Sequence, residues 1–163
     1  MPVDIIEMQN SGNVLFHYTC MYHLNRIFEA GRITVTESNF SFEECGLFPV
    51  VWLTSSLSPD NMGLNYQEDI PDEIDKTRIR LTIRKNKTMK PWDEWSKKKG
   101  MVETARQALI EAADSAKESY KTWWVSSRNI TLGNVLFVED IKAGSVLYST
   151  YDRIERAKKG DGE

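Results

Sequence analysis

The sequence predicts an α+β domain in which mixed β-sheets pack against two or three helices. Six or seven short apolar runs rich in strand-forming residues are spread along the chain, and segments of helical periodicity separate them. The 163 residues, 40% hydrophobic and 28% charged, suit one core and show no internal repeat. We therefore expect a single domain over residues 1–150 and a charged, flexible tail over 151–163.

A strand and a helix follow each other closely near the N-terminus. NVLFH (13–17) is an apolar run typical of a strand, and Thr19 can cap the helix that follows it. Apolar residues within 24–28 recur at helical spacing, and Gly31 stands where a left-handed residue would end the helix. RITVT (32–36) is then predicted to form a short strand.

Two further strands flank a long segment without periodicity. PVVWLTSS (49–56) is a continuous apolar run, as in strands buried on both faces. Residues 57–75 contain two prolines and an acidic cluster, which predicts the most mobile internal loop of the chain and a candidate lid. TRIRLTIR (77–84) alternates apolar with mainly basic residues, so we expect one buried and one basic face.

The second half of the chain is predicted to contain one long helix and three strands. The helix spans 101–120, and the strands are WWVSS (123–127), NVLFVEDI (134–141) and SVLYST (145–150). The apolar face predicted for the helix consists of Val102, Ala105, Leu109, Ala112, Ala113, Ala116 and Tyr120.

The net charge of −3 argues against a protein that coats nucleic acid. The charge is nevertheless uneven, because the acidic stretch 67–75 is followed by the basic stretch 76–99. The basic region is either a solvated flank of a strand or a surface for a protein or nucleic-acid target.

No apolar run approaches the length of a membrane span, and the N-terminus does not resemble a secretory signal. Cys20 and Cys45 are the only cysteines, and they are expected to be reduced. These observations predict a cytoplasmic protein without a membrane partner.

The sequence contains no phosphate-binding loop, no dinucleotide-fold glycine motif and no zinc-binding motif. His17 and His23 lie on different predicted elements without a neighbouring acid at ligand spacing, so we expect no metal site. Polar residues do collect at the ends of two apolar strands, at 17–19 and at 54–56, where rigid scaffolds often present functional side chains. For His17 alone, a half-buried histidine bonded to a backbone carbonyl is an equally simple interpretation.

The order H-Y-T, L-x-x-I-x-x-x-G-x-I and V-W-L-T-S-S resembles the N-terminal half of ADP-ribosyltransferase-fold proteins. The likeness is greatest to small bacterial and phage members related to the DarT toxins. It covers roughly residues 13–140 and is most specific in 15–33 and 49–56. The resemblance implies one ADP-ribosyltransferase-like domain built around a cleft for NAD.

By this resemblance, His17 would hydrogen-bond the adenosine-side ribose of NAD, and the residues after it would shape the same groove. The segment from Trp52 onwards would line the nicotinamide side, where a flat ring needs an aromatic wall. The residues implied to contact NAD are His17, Tyr18, Thr19, Trp52, Thr54 and Ser55.

Cleavage of the nicotinamide bond passes through an oxocarbenium-like state, which a carboxylate stabilises. Transferases of this fold usually carry a glutamate at or just before the strand that matches WWVSS, but Lys121 and Thr122 stand there in this chain. The candidates for the catalytic carboxylate are therefore Glu118, upstream of that strand, and Glu139, on the following strand.

Three functions follow from these expectations. The first is an enzyme that cleaves NAD and transfers ADP-ribose to a macromolecule, which would contact region 76–99 or the loop 57–75. The second is a catalytically silent binder of NAD or an ADP-ribose-type nucleotide. The third is a protein-interaction module of bacterial or phage origin whose cleft is vestigial.

Overall fold

Four α-helices and nine β-strands make up the part of the chain that the computed structural model describes, residues 5–35, 49–59, 71–99, 101–115 and 119–149. The helices are α1 (Ile5–Asn10), α2 (Met21–Ala30), α3 (Trp92–Lys98) and α4 (Glu103–Ser115). The strands are β1 (Val14–Thr19), β2 (Arg32–Ile33), β3 (Val51–Thr54), β4 (Ile79–Arg84), β5 (Met89–Pro91), β6 (Trp123–Ser126), β7 (Ile130–Thr131), β8 (Val135–Asp140) and β9 (Ser145–Ser149).

Seven strands form one sheet in the order β5-β6-β3-β1-β4-β8-β9, and β2 pairs with β7 in a second sheet. The α+β class is confirmed, but every described strand pair is antiparallel where we expected mixed sheets. Alternating apolar residues identify a strand without fixing the direction of its partner, so parallel and antiparallel pairing could not be distinguished from this pattern. The described residues also hold four helices instead of two or three, because α1 and α3 are too short to show a clear period.

The strands predicted at 13–17 and 49–56 are neighbours in the sheet, as expected. β1 pairs with β4 along its whole length, from Val14 opposite Arg84 to Thr19 opposite Ile79. Between β1 and β3, in contrast, the register contains only Phe16 opposite Thr54. The large sheet is therefore joined at its centre by a single residue pair.

The short connection between β4 and β5 shows that the large sheet bends between these two strands. β4 and β5 are four strand spacings apart in the sheet order. The observed registers also shift Arg84 and Met89 relative to each other along the strand direction. In a flat sheet, this shift and the spacing across the strands together would place Arg84 about 25 Å from Met89. Five residues span at most ~18 Å. The half with β3, β5 and β6 must therefore fold over the half with β1, β4, β8 and β9.

The inner face of the bent sheet contains the largest apolar cluster. Ile79, Leu81 and Ile83 of β4 are buried there, which confirms the predicted core face of this strand. Helix α2 covers the cluster, and Gly31 ends the helix with a φ of 70°, as predicted. The helix begins after Cys20, one residue later than expected, because Thr19 still belongs to β1. The other buried members are Leu15, Leu24, Ile27, Ile33, Val51, Leu53, Met89, Ile130, Val135 and Val138.

The outer face carries two apolar clusters. One surrounds Trp92, Trp95 and Trp123 and includes residues of α3 and α4. The other surrounds Phe16 and includes residues of α1. The helices therefore lie on both sides of the sheet, with α2 on the inner side.

Helix α4 differs from its prediction in length and in its buried face. It spans Glu103–Ser115, and Val102 and Ala112 of the predicted apolar face are exposed. Arg106 is buried instead, because its Nε donates to Ser96 Oγ at 3.0 Å and its guanidinium pairs with Asp93 of α3. The apolar period alone did not reveal this ion pair between two helices.

Two predictions fall on parts of the chain outside the described residues. These are the mobility of the centre of the loop, 60–70, and the tail 151–163. The end of the loop is described, and it contains a 3-10 turn over Asp72–Ile74. Within the described ranges, no helix has the length and apolar composition needed to cross a membrane.

Candidate functional site

The point at which β1 and β3 separate is a structural irregularity at the centre of the sheet. Pairing stops at Phe16 and Thr54, so the segments 17–19 of β1 and 51–53 of β3 face each other without ladder pairs. We call these two segments the junction. A break in a sheet leaves backbone polar groups that must find other partners.

His17 supplies one of those partners. Its Nδ1 lies 2.8 Å from the backbone oxygen of Trp52. A carbonyl oxygen can only accept, so Nδ1 carries the proton and Nε2 of the neutral ring keeps its lone pair. Burial lowers the pKa of His17, outweighing the opposing effect of the Trp52 carbonyl, and the nearby His23 lowers it further. The imidazole is therefore neutral at pH 7, with Nε2 as an acceptor.

His17 was interpreted either as a half-buried histidine bonded to a backbone carbonyl or as a residue that binds a ribose hydroxyl. These two interpretations concern different ring nitrogens. One nitrogen bonds a backbone carbonyl, as in an ordinary half-buried histidine. The other makes no hydrogen bond to any residue in the described ranges, and it has the chemistry that a ribose hydroxyl requires of an acceptor. A fixed tautomer is useful for binding because the ring need not reorganise when a ligand arrives.

The residues predicted to line one groove divide between the two faces of the sheet. His17 and Thr19 share the inner face, because they lie opposite the core residues of β4. Tyr18 points to the outer face, where it belongs to the cluster around Phe16. Trp52 also lies on the outer face, with its ring 5.9 Å from that of Trp123. The expectations that Tyr18 shares the groove of His17 and that Trp52 lines the nicotinamide side of it are therefore wrong, because both side chains lie on the opposite face of the sheet.

Thr54 and Ser55 mark the end of β3. Thr54 is fully buried, pairs with Phe16, and accepts a hydrogen bond from the Ser56 backbone N–H at 3.0 Å. The Ser55 N–H donates to the Thr122 oxygen at 3.0 Å, which extends the pairing of β3 with β6 by one residue. Thr54 therefore acts within the fold, and half-buried Ser55 lies beyond the Phe16–Thr54 pair, on the side away from the junction.

The segment that leaves β3 is held by side chains of three other elements. The Tyr18 hydroxyl donates to the Leu57 oxygen, and Arg80 Nη1 donates to the same oxygen at 3.0 Å. Gln9 of α1 donates to the Ser55 oxygen at 3.0 Å. Arg80 and Gln9 were not among the predicted site residues. The alternation of β4 did place Arg80 opposite the core face, and this was the signal that could have identified it.

Glu139 lies away from the inner side of the junction. It is opposite Arg80 in the β4–β8 register, and the two side chains form an ion pair at 3.0 Å. Because His17 is opposite Leu81, the next residue along β4, Glu139 and His17 point to opposite faces. Glu139 is therefore poorly placed to reach a ribose beside His17.

Glu118 lies outside the described residues, but the chain on either side of it is described. Helix α4 ends at Ser115 and does not continue to 120 as predicted. Ser119 has an extended backbone, with φ −116° and ψ 123°, and a 3-10 turn follows at Tyr120–Thr122. The helix therefore does not run unbroken through Tyr120, and the phase of a helix continued to 120 does not decide whether Glu118 can serve.

The basic stretch 76–99 is only partly a free surface. Arg78 pairs with Asp140 at 2.7 Å, and Arg80 pairs with Glu139. Lys85 Nζ lies over the Trp124 ring, 4.2 Å from its centroid. The exposed lysines of the stretch are Lys76, Lys85, Lys87, Lys90, Lys97, Lys98 and Lys99.

Among the residues that the structure describes, no three His, Cys, Asp or Glu side chains come together as a metal-binding group.

Comparisons with known proteins found no matching family model, no matching curated protein and no matching solved structure.

Proposed function

We propose that the chain is an ADP-ribosyltransferase-like protein that binds NAD at the inner side of the junction. The observation that carries the proposal is the fixed tautomer of His17, which bonds Trp52 through Nδ1 and leaves Nε2 as an acceptor. A ribose hydroxyl would donate to Nε2. The adjacency of β1 and β3, which the resemblance requires, supports the same site.

A transfer reaction is a second candidate, favoured by the extended backbone at Ser119, which interrupts the helix that was predicted to continue through Tyr120. In this reaction the bond between the ribose C1′ and the nicotinamide nitrogen breaks, and its electron pair leaves with nicotinamide. A nucleophile of the target then bonds to C1′ and loses its proton. Glu118 is the proposed carboxylate, which would stabilise the positive charge at C1′ and accept that proton.

The binding proposal is tested by calorimetric titration of NAD into the wild type and two histidine variants. His17→Ala should weaken binding by about 1–3 kcal/mol, since the variant leaves a buried polar group of the ligand unpaired. His23→Ala is the matched control, because His23 is exposed on α2 and should leave affinity nearly unchanged. A wild type that binds no NAD, or equal losses in both variants, would contradict the proposal.

Transfer is tested by measuring nicotinamide release. At saturating NAD, the wild type should release nicotinamide, Glu118→Gln should do so at least about a hundredfold more slowly, and Glu139→Gln should keep most of the rate. Equal rates in all three proteins would rule out both carboxylates. NAD binding without release in the wild type would leave the chain as a nucleotide binder.

A further inference from the structure

We infer that Tyr18 and Arg80 are positioning residues that hold the NAD cleft in shape from the opposite face of the sheet. The inference rests on the proposed NAD site. Tyr18 was first considered as a groove residue and Glu139 as a catalytic residue. The inference gives both of them a role without contact to the nucleotide.

The contacts converge on one backbone oxygen. The Leu57 carbonyl accepts from the Tyr18 hydroxyl and from Arg80 Nη1 at 3.0 Å. A second, longer bond runs from the Tyr18 hydroxyl to the Ser56 oxygen at 3.4 Å. Two donors, one of them charged, therefore fix a carbonyl three residues beyond the end of β3.

Both donors are themselves held in place. Tyr18 is 6% exposed and packs in the apolar cluster of the outer face. Arg80 donates through Nε and Nη2 to Glu139 Oε1, at 3.2 and 3.0 Å. The role of Glu139 is thus to orient Arg80, and a preorganised donor loses little freedom when it binds its acceptor.

The anchored segment is connected to His17 through the backbone of β3. The Trp52 oxygen that fixes the His17 tautomer lies on the four-residue strand that continues directly into Ser55 and Leu57. On the side of β1, this strand is held by the Phe16–Thr54 pair and by the hydrogen bond between His17 and Trp52. Releasing Leu57 should therefore let the end of β3 shift, and the Trp52 oxygen and the His17 ring would shift with it.

The test compares Tyr18→Phe with Thr82→Val, both of which remove one hydroxyl from a buried outer-face residue. The Thr82 hydroxyl has no hydrogen-bond partner among the residues that the structure describes, so its loss should not affect the anchored segment. Two quantities are measured for the wild type and both variants: the Kd for NAD, and amide hydrogen exchange at Ser56 and Ser58.

Tyr18→Phe should raise the Kd by about three- to tenfold, the loss expected for one hydrogen bond, and should speed exchange at Ser56 and Ser58 by a similar factor. Glu139→Gln should also raise the Kd, since Arg80 loses its charged partner. Thr82→Val should leave the Kd and the exchange of these two amides at the wild-type values.

An unchanged Kd in Tyr18→Phe would overturn the positioning role even if exchange became faster. An equal rise in Kd for Thr82→Val would also overturn it, because the effect would then be general to the outer face. Both results require a wild type that binds NAD. A wild type that does not bind refutes the proposed function itself, and with it the role of Tyr18 toward NAD.

Discussion

His17 couples its protonation to folding as well as to the proposed binding. Burial holds its pKa below the ordinary value of 6.5. At pH values between the folded pKa and 6.5, the unfolded chain binds a proton that the folded chain does not. Since protons then favour the unfolded state, the free energy of unfolding decreases as the pH falls through this window.

We therefore predict that the wild type loses stability as the pH falls below about 6.5, and that His17→Gln loses less over the same range. The measurement is urea unfolding at pH 7.5 and pH 5.5. The pKa of His23 is also lowered, chiefly because its ring is partly removed from solvent, so His23→Gln is the control. It should retain most of the wild-type dependence because His23 is exposed. A His17→Gln protein with the full wild-type dependence would contradict the prediction.

Thr82 is an internal residue whose hydroxyl group does not stabilise the folded state. It is fully buried on β4 between Phe16 and Phe137 of the neighbouring strands, and in the described part of the chain its hydroxyl has no hydrogen-bond partner. Thr82→Val removes the cost of burying that hydroxyl and should raise the free energy of unfolding by about 1 kcal/mol. Urea unfolding measures this change, and a variant less stable than the wild type would show that the hydroxyl has a buried partner, such as water.

At the scale of elements, the end of α2 depends on a single glycine. Gly31 has a φ of +70°, and a Cβ at this position would meet no atom within 4 Å. Gly31→Ala should therefore lower the free energy of unfolding by about 1 kcal/mol through backbone conformation alone. Gly133 lacks the positive φ and is the matched control, so Gly133→Ala should be neutral or stabilising. Equal effects of the two substitutions on urea unfolding would contradict the assignment.

The strands could be predicted from the sequence because their core residues alternate or form short apolar runs. The bounds of β4 and β8 differ from the prediction by at most two residues at each end. The buried face of α4 could not be predicted, because Arg106 is stabilised inside by Asp93 and Ser96 of another helix. Such partners depend on tertiary structure and leave no period in the sequence.

The candidate site was predictable only in part, because some of its features follow from strand patterns and others depend on tertiary structure. A strand that contains His17 followed from local patterns, although β1 continues two residues further than predicted, to Thr19. The division of the predicted contacts between two faces also follows from strand alternation, which places Tyr18 opposite to His17. The bend of the sheet was not predictable, since it follows from the order and register of strands that are distant in sequence.

At the scale of the whole molecule, the bend predicts uneven protection within one strand. The Leu53 N–H faces β6, as the bond of Ser55 to Thr122 indicates, whereas the Trp52 N–H faces β1 beyond the last ladder pair. The Trp52 amide should therefore exchange with solvent about tenfold faster than the Leu53 amide, the equivalent of one hydrogen bond. Native-state hydrogen exchange resolves both positions, and equal protection would mean that β1 and β3 are paired along the junction.

The strand order also determines how the chain can be divided. One half of the bent sheet contains β3, β5 and β6, and the other contains β1, β4, β8 and β9, so the chain passes between the halves repeatedly. No single cut yields a fragment that holds one complete half. Each half needs strands that are distant in sequence, and the two should therefore fold together, slowly for a chain of this length. Far-ultraviolet circular dichroism and tryptophan fluorescence should report one coincident unfolding transition, although the sheet is joined by a single residue pair.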